Sequence, residues 1–316
     1  MKITIAENFR AIFYAPFYAL RALDFAATEG VEVEWLAPGS PGGAIDDVKC
    51  GRTDATWGGP MRVLKDHDST PADGGSLVCF GDVVTRDPFF LLGRSDAANP
   101  AHFGLADLAQ LRLGTVSEVP TPWHCLRADL EDAGVDTEAM RAAGRLVTDL
   151  SMPQQVQALQ LPVSKDGKAG GLDVAQVLEP FVSAALADNT GRLLYTAASR
   201  GPTVYTTFIG SRDGLVRQRE AFTAITRALA RLQHWMVEQG PDEMARVTAP
   251  FFPDVPAAHF YASIGRYYRD GIWAQETTVS RLGFERLAQS LHEGGFIKTR
   301  GTYAACIHNF DGAARV

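Results

Sequence analysis

Short runs of β-branched and apolar residues alternate along this chain with longer stretches in which apolar residues recur every third or fourth position. That alternation predicts crossover units, in which strands of a mainly parallel sheet are joined by helices. The first strand is Ile3–Ala6, and Pro16–Glu29 reads as a helix with Phe17, Leu20, Leu23 and Ala27 on one face, closed by Gly30. Val31–Leu36 and Asp54–Trp57 are the next strands, separated by a loop at Pro38–Gly43 and a short helix to Cys50. Gly59-Pro60 opens a helix to His67. The apolar strands Leu77–Thr85 and Phe89–Gly93 flank Arg86-Asp87-Pro88, which reads as a crossing point into a second α/β run.

That second run holds a helix at Leu105–Ala109, strand Arg112–Val116 and a helix after Thr121-Pro122 reaching Ala133. Strand Arg145–Leu150 and a helix capped by Ser151 follow, with Pro153 in its first turn, then strand Asp173–Leu178 and helix Pro180–Ala187. A strand pair, Leu193–Ala197 and Val204–Ile209, returns the chain to the first lobe. Beyond Gly214 the pattern is helical, with Phe222, Ile225, Leu229, Leu232 and Met236 forming one stripe, and further helices at Asp242–Thr248, Ala257–Tyr268 and Val279–Leu291. Two α/β lobes result, residues 1–88 with 200–316 and residues 89–199. Ser164–Gly171 reads as a polar surface loop.

Composition narrows the function classes. With 46% hydrophobic and 21% charged residues among 316, a packed core is expected and disorder is not. A net charge of -7 opposes a general nucleic-acid or anionic-membrane surface. Cys50, Cys79, Cys125 and Cys306 form no pair of metal-ligand spacing and read as free thiols, so neither metal nor cofactor is expected. No apolar run is long enough to span a bilayer. Because Met1 leads straight into Lys2–Ala6, the sequence as written reads as cytoplasmic, or as periplasmic or lipid-anchored if a leader has been removed.

Ligands of open parallel sheets bind where strands end and helices begin. After the first strand that rule selects Asn8, Phe9, Arg10, Phe13 and Tyr14, a connection rich in aromatics with one cation. After the third strand it selects Trp57, Gly58 and Gly59, where missing side chains let backbone amides approach a ligand. In the second lobe it selects Thr121, read as a helix cap, with Trp123 and His124. Glu179, a carboxylate at the end of an apolar strand, either contacts ligand or braces the lobe junction. Helix starts and Arg10 favour an anionic group, and the aromatics offer flat walls. Each of these features has a plain structural reading as core filling, capping or solvated surface. No nucleophile elbow, zinc-protease motif or phosphate-binding loop is present, so no catalytic residue is assigned.

Three motifs carry a family resemblance: Gly51-Arg-Thr-Asp54 before the third strand, Leu105-Ala-Asp-Leu108 leading to Leu113-Gly-Thr115, and Asp173 through Glu179-Pro180-Phe181. In order and spacing the chain resembles the nitrate/sulfonate/taurine solute-binding proteins and the related thiamine-pyrimidine (NMT1/THI5-like) group. The resemblance implies the type II periplasmic-binding-protein fold, two lobes joined by crossing strands, a small ligand held in the cleft between them, and an ABC permease as partner. The fungal pyrimidine-synthesis enzymes of the group carry a lysine, a histidine and a cysteine-rich iron motif that are absent here, so that activity is not expected. The competing expectation is a cytoplasmic lyase, decarboxylase or desulfinase on the same fold, with His124 or Glu179 as acid or base. If Trp57 and Trp123 are cleft walls, replacing either by alanine weakens ligand binding and leaves the fold intact.

Overall fold

The structure, a computed structural model, describes residues 1–37, 43–70, 74–96, 102–163 and 170–310. The expected loops at Pro38–Gly43 and Ser164–Gly171 fall largely outside these residues. The chain forms two compact units, one of Met1–Arg86, Gly201–Asp254 and Ile264–Val316, the other of Asp87–Arg200 with Val255–Ser263. The short excursion Val255–Ser263 departs from the single return near residue 200 expected from the sequence.

In chain order the first unit begins with β1 (Lys2–Ala6), a 3-10 turn at Ile12–Tyr14, α1 (Ala15–Ala22), α2 (Phe25–Thr28), β2 (Glu32–Leu36), α3 (Gly43–Lys49), β3 (Ala55–Gly58), α4 (Met61–Ser69) and β4 (Leu77–Val84). The second unit contributes β5 (Phe90–Arg94), a 3-10 turn at Leu105–Gln110, β6 (Leu113–Gly114), α5 (Thr121–Asp132), α6 (Thr137–Ala142), β7 (Leu146–Val147), α7 (Met152–Ala158), β8 (Val174–Val177), α8 (Phe181–Ala187) and β9 (Gly191–Thr196). There follow β10 (Thr206–Ser211), α9 (Arg212–Arg217), α10 (Arg219–Thr248), α11 (Ala257–Asp270), α12 (Arg281–Glu293) and α13 (Tyr303–Cys306).

Each unit is built on a five-stranded sheet, ordered β2-β1-β3-β10-β4 in the first and β7-β6-β8-β5-β9 in the second. Three parallel strands stand at one side of each, and the fourth strand, β10 or β5, runs antiparallel to both its neighbours. The expected return hairpin is therefore not a pair: β9 completes the second sheet, while β10 enters the first between β3 and β4.

Two motif residues pin these sheets by the same device. Asp54, just before β3, accepts the Thr4 backbone N–H of β1 at 2.8 Å through Oδ2. Asp173, just before β8, accepts the Arg112 N–H beside β6 at 2.8 Å. A carboxylate at the start of a strand thus satisfies a backbone donor on its parallel neighbour and fixes the register.

The helix expected at Pro16–Glu29 is broken at Asp24, whose φ of 50° is left-handed and ends α1's continuation. Aspartate tolerates that region better than most residues, and Gly30 at φ +74° closes α2. The stripe from Phe222 to Met236 is buried along α10 as expected, and the chain kinks at Gly240-Pro241. Ser151 forms the capping box with Gln154 at the start of α7.

One buried acid in the first unit has consequences for stability. Asp82 on β4 is 2% exposed and its Oδ1 has no hydrogen-bond partner. Burial outweighs hydrogen bonds from Thr85 and the Ser280 and Val83 backbone, and with the charge of Glu276 it pushes this carboxyl up to about 7. A raised carboxyl pKa means the fold binds the proton more tightly than the unfolded chain does. The stabilisation is complete below the unfolded value near pH 4 and is lost as pH rises to 7. From pH 5 to pH 8 unfolding free energy is expected to fall by ~2–3 kcal/mol through this group. Urea midpoints at the two pH values should converge in Asp82→Asn; an equal fall in the variant would remove Asp82 as the cause.

Candidate ligand-binding site

From β1 the chain moves to β2 on one side, and β3 lies on the other. The carboxyl ends of β1 and β3 therefore flank the point where strand order reverses, the position at which such sheets leave a crevice. Two segments selected from the sequence meet there. Asn8, after β1, is 2% exposed, and neither its Oδ1 nor its Nδ2 has a hydrogen-bond partner. Gly58 ends β3, and a Cβ at this position would lie 3.4 Å from Asn8 Nδ2 and 3.1 Å from Arg62 Nε. The absence of a side chain at Gly58 is what allows both polar groups to close over the strand end. At Gly59 a Cβ would stand 3.2 Å from the Tyr205 carbonyl oxygen, so this residue is needed for close backbone approach.

The aromatics of the first loop form one cluster. Phe9 is half-buried, with its ring 5.1 Å from Tyr14 and 6.3 Å from Phe13. Phe13 and Tyr14 are buried, and the Phe13 carbonyl accepts the Trp273 indole N–H at 2.8 Å. Burial pushes the Tyr14 hydroxyl above its ordinary range, against the charge of Arg62 and the neighbouring Thr206 and Asn8, so it stays neutral and can donate. Asn8 and Thr206 stand beside that hydroxyl without closing a hydrogen bond of normal geometry, and Thr206 Oγ1 has no partner. Phe9, Tyr14, Asn8, Gly58, Arg62 and Thr206 thus gather polar groups and an aromatic wall at one sheet end.

Two expectations change here. Trp57 is not an open wall: it is 2% exposed, stacked on Phe17 at 4.6 Å and 8°, with Tyr14, Tyr18 and Trp35 at its edges. It is core. Arg10, the cation expected to meet an anion, is exposed and already paired, its Nε donating to Glu7 Oε1 at 3.3 Å. Glu7 also accepts the Tyr18 hydroxyl at 2.6 Å. The sequence reading missed Arg62, four residues past Gly58. Arg62 is half-buried; among the described residues its buried Nε has no hydrogen-bond partner and no carboxylate lies within ion-pair distance. Its signal was a cation in the first turn of α4, the wrong end of a helix for positive charge.

In the second unit, α5 begins beyond Pro120, which holds the N-cap position, so Thr121 is the first helical residue rather than the cap. Gln176 of β8 anchors this start by donating to the Pro122 carbonyl at 2.8 Å. Trp123 is half-buried and packs against a core that includes Leu126, Leu130 and Leu146. His124 is half-buried, and burial, then the charge of Arg127, lowers its pKa, which favours neutral imidazole. Glu179 is fully buried. Its oxygens accept the Ser183 backbone and hydroxyl at 2.9 Å each and the Ser263 hydroxyl at 3.2 Å. These bonds join α8 to the first part of α11 inside the second unit, not at a junction between lobes. Among the described residues no group of histidine, cysteine and acidic side chains could hold a metal ion, and no helix is long and apolar enough to cross a membrane.

This architecture, two units with five-stranded sheets ordered alike, is that of the periplasmic-binding-protein fold. The alkanesulfonate-binding protein SsuA of Xanthomonas axonopodis pv. citri, solved with MOPS bound, superimposes with a TM-score of 0.68 at 15% identity, covering 98% of each chain. The periplasmic aliphatic sulphonate-binding protein SsuA of Escherichia coli gives 0.72 at 14% identity, over 98% of this chain and 94% of that one. YtlA of Bacillus subtilis (strain 168), which bears a binding-protein name, is 21% identical over 317 residues, 93% of this chain and 84% of its own. The chain belongs to the NMT1-like family, which it matches over residues 11–250.

Proposed function

We propose that this protein is the solute-binding component of an ABC-type importer, or a related ligand receptor, and that it holds a small anionic or heteroaromatic solute where β1 and β3 end. The observation that carries this is the pairing of Asn8 with Gly58: a buried amide with no hydrogen-bond partner among the described residues, set over a residue whose missing side chain makes room for it. Unsatisfied buried polar groups are costly unless something else completes them. Phe9 and Tyr14 supply the apolar wall that a small-molecule site needs. The second unit's own proposed contacts are Thr121, Trp123 and His124 at the head of α5.

Family membership supports the reading, and the names of the fold neighbours put alkanesulfonates first among candidates. On this reading the protein works outside the cytoplasmic membrane with a permease as partner. An acid or base role for Glu179 finds no support in its burial and its three hydrogen bonds.

Native mass spectrometry of protein purified from its own host is expected to show one small molecule per chain, released unchanged on denaturation. A product formed from the bound molecule would overturn the carrier reading. Asn8→Ala is expected to weaken binding about tenfold in calorimetric titration, since a hydrogen bond to a bound polar group contributes ~1.4 kcal/mol. An unchanged dissociation constant would move the ligand away from β1.

A further inference from the structure

Within the site just proposed, and resting on that reading, we infer that Arg62 is the residue that fixes the ligand class: the solute carries a formal negative charge, and neutral heteroaromatics are excluded. Three features of Arg62 are unfavourable to an empty protein. Burial lowers the pKa of its guanidinium, which marks an environment that penalises the charge. Its Nε, beside Gly58, has no hydrogen-bond partner among the described residues, and none of their carboxylates compensates it. It also sits in the first turn of the nine-residue α4, where the helix dipole opposes a cation.

Among the described residues no acidic group relieves these costs. Tyr14 is the group whose ionisation would neutralise Arg62, and burial keeps its hydroxyl protonated. Glu7, the carboxylate of the same loop, is committed to Tyr18 and Arg10. A half-buried cation with a buried, unpartnered Nε and no counter-ion among the described residues is the kind of local conflict retained where function requires it. The missing partner is then an anion brought by the ligand, met by a guanidinium suited to carboxylate and sulfonate oxygens, with the neutral Tyr14 hydroxyl as second donor.

Gly58 is the positioning residue in this scheme. A methyl group there would stand 3.1 Å from Arg62 Nε, so the guanidinium would have to shift away from the strand end.

The test compares wild type, Arg62→Met and Gly58→Ala, using benzenesulfonate and hexanoate against their neutral counterparts benzenesulfonamide and hexanamide. Calorimetry is expected to show that wild type binds at least one acid and neither amide, that Arg62→Met weakens the acid about 100-fold, and that Gly58→Ala weakens it in the same order of acids. Without ligand, Arg62→Met is expected to melt about 2 °C or more above wild type, because it removes a buried uncompensated charge. Equal binding of acid and amide, or acid binding unaffected by Arg62→Met, overturns the inference while leaving the solute-binding reading in place. If none of the four probes binds, the melting comparison decides: an unliganded Arg62→Met less stable than wild type shows that the guanidinium is satisfied within the protein and overturns the assignment. Failure of the broader reading looks different, namely wild-type protein that carries no small molecule when isolated from its host.

Discussion

Trp57→Ala is expected to destabilise the first unit by ~3–5 kcal/mol, the range for removing a large aromatic from a packed core. The indole lies flat on Phe17 and takes the edges of Tyr14, Tyr18 and Trp35, so its loss leaves a cavity bordered by four rings that cannot all close in. The sequence reading expected this substitution to spare the fold. Chemical denaturation followed by far-ultraviolet circular dichroism checks the new expectation, with Trp57→Phe as a control that keeps the stack and loses less. A cost below about 1 kcal/mol would return Trp57 to the accessible wall of the site.

Arg200→Met should be comparably damaging to the second unit. Arg200 Nη1 meets Asp87 Oδ2 at 2.8 Å and its Nε meets Asp129 Oδ1 at 2.8 Å, with all three side chains largely buried. Asp87 and Arg200 are the first and last residues of the long segment of this unit, so the pair ties together the chain's arrival and its departure. Asp87 also accepts the Phe89 N–H at 3.0 Å, and Tyr195 donates to Asp129 at 3.3 Å. Removing the guanidinium strands two carboxylates in a dry environment, for which the expected loss is ~3–5 kcal/mol. The companion variant Arg200→Met with Asp87→Asn and Asp129→Asn should recover part of that loss, since the damage comes from uncompensated charge. If the triple variant is no better than the single one, lost packing rather than charge is the cause.

Several residues chosen from the sequence are buried or paired within the protein, and the reason is common to them. Strand ends in α/β units are where ligands bind and also where core aromatics and bracing carboxylates accumulate, and residue type alone does not separate the two. Glu179 is bonded by Ser183 nearby and by Ser263, 84 positions away in sequence, a partner that the sequence does not announce. Arg10 and Arg62 were both visible as cations near selected loops. Only the fold shows that Glu7 takes up the first and that nothing described takes up the second.

The sequence by itself determined the order of strands and helices, the crossing region near Arg86 and the strand ends at which to look. These follow from local periodicity and from glycine and proline punctuation, whereas the strand-leading aspartates Asp54 and Asp173 show their use only in the fold, each meeting a backbone N–H 50 or 61 positions away. It also marked Gly58 as a residue of close approach. The tertiary structure decided which side chains are spent and which are left over: the insertion of β10 between β3 and β4, the passage of Val255–Ser263 into the second unit, the burial of Trp57 and the uncompensated charge of Arg62. The physical reason is that secondary structure is written in neighbours a few positions apart, whereas burial and charge balance depend on partners tens to hundreds of positions away.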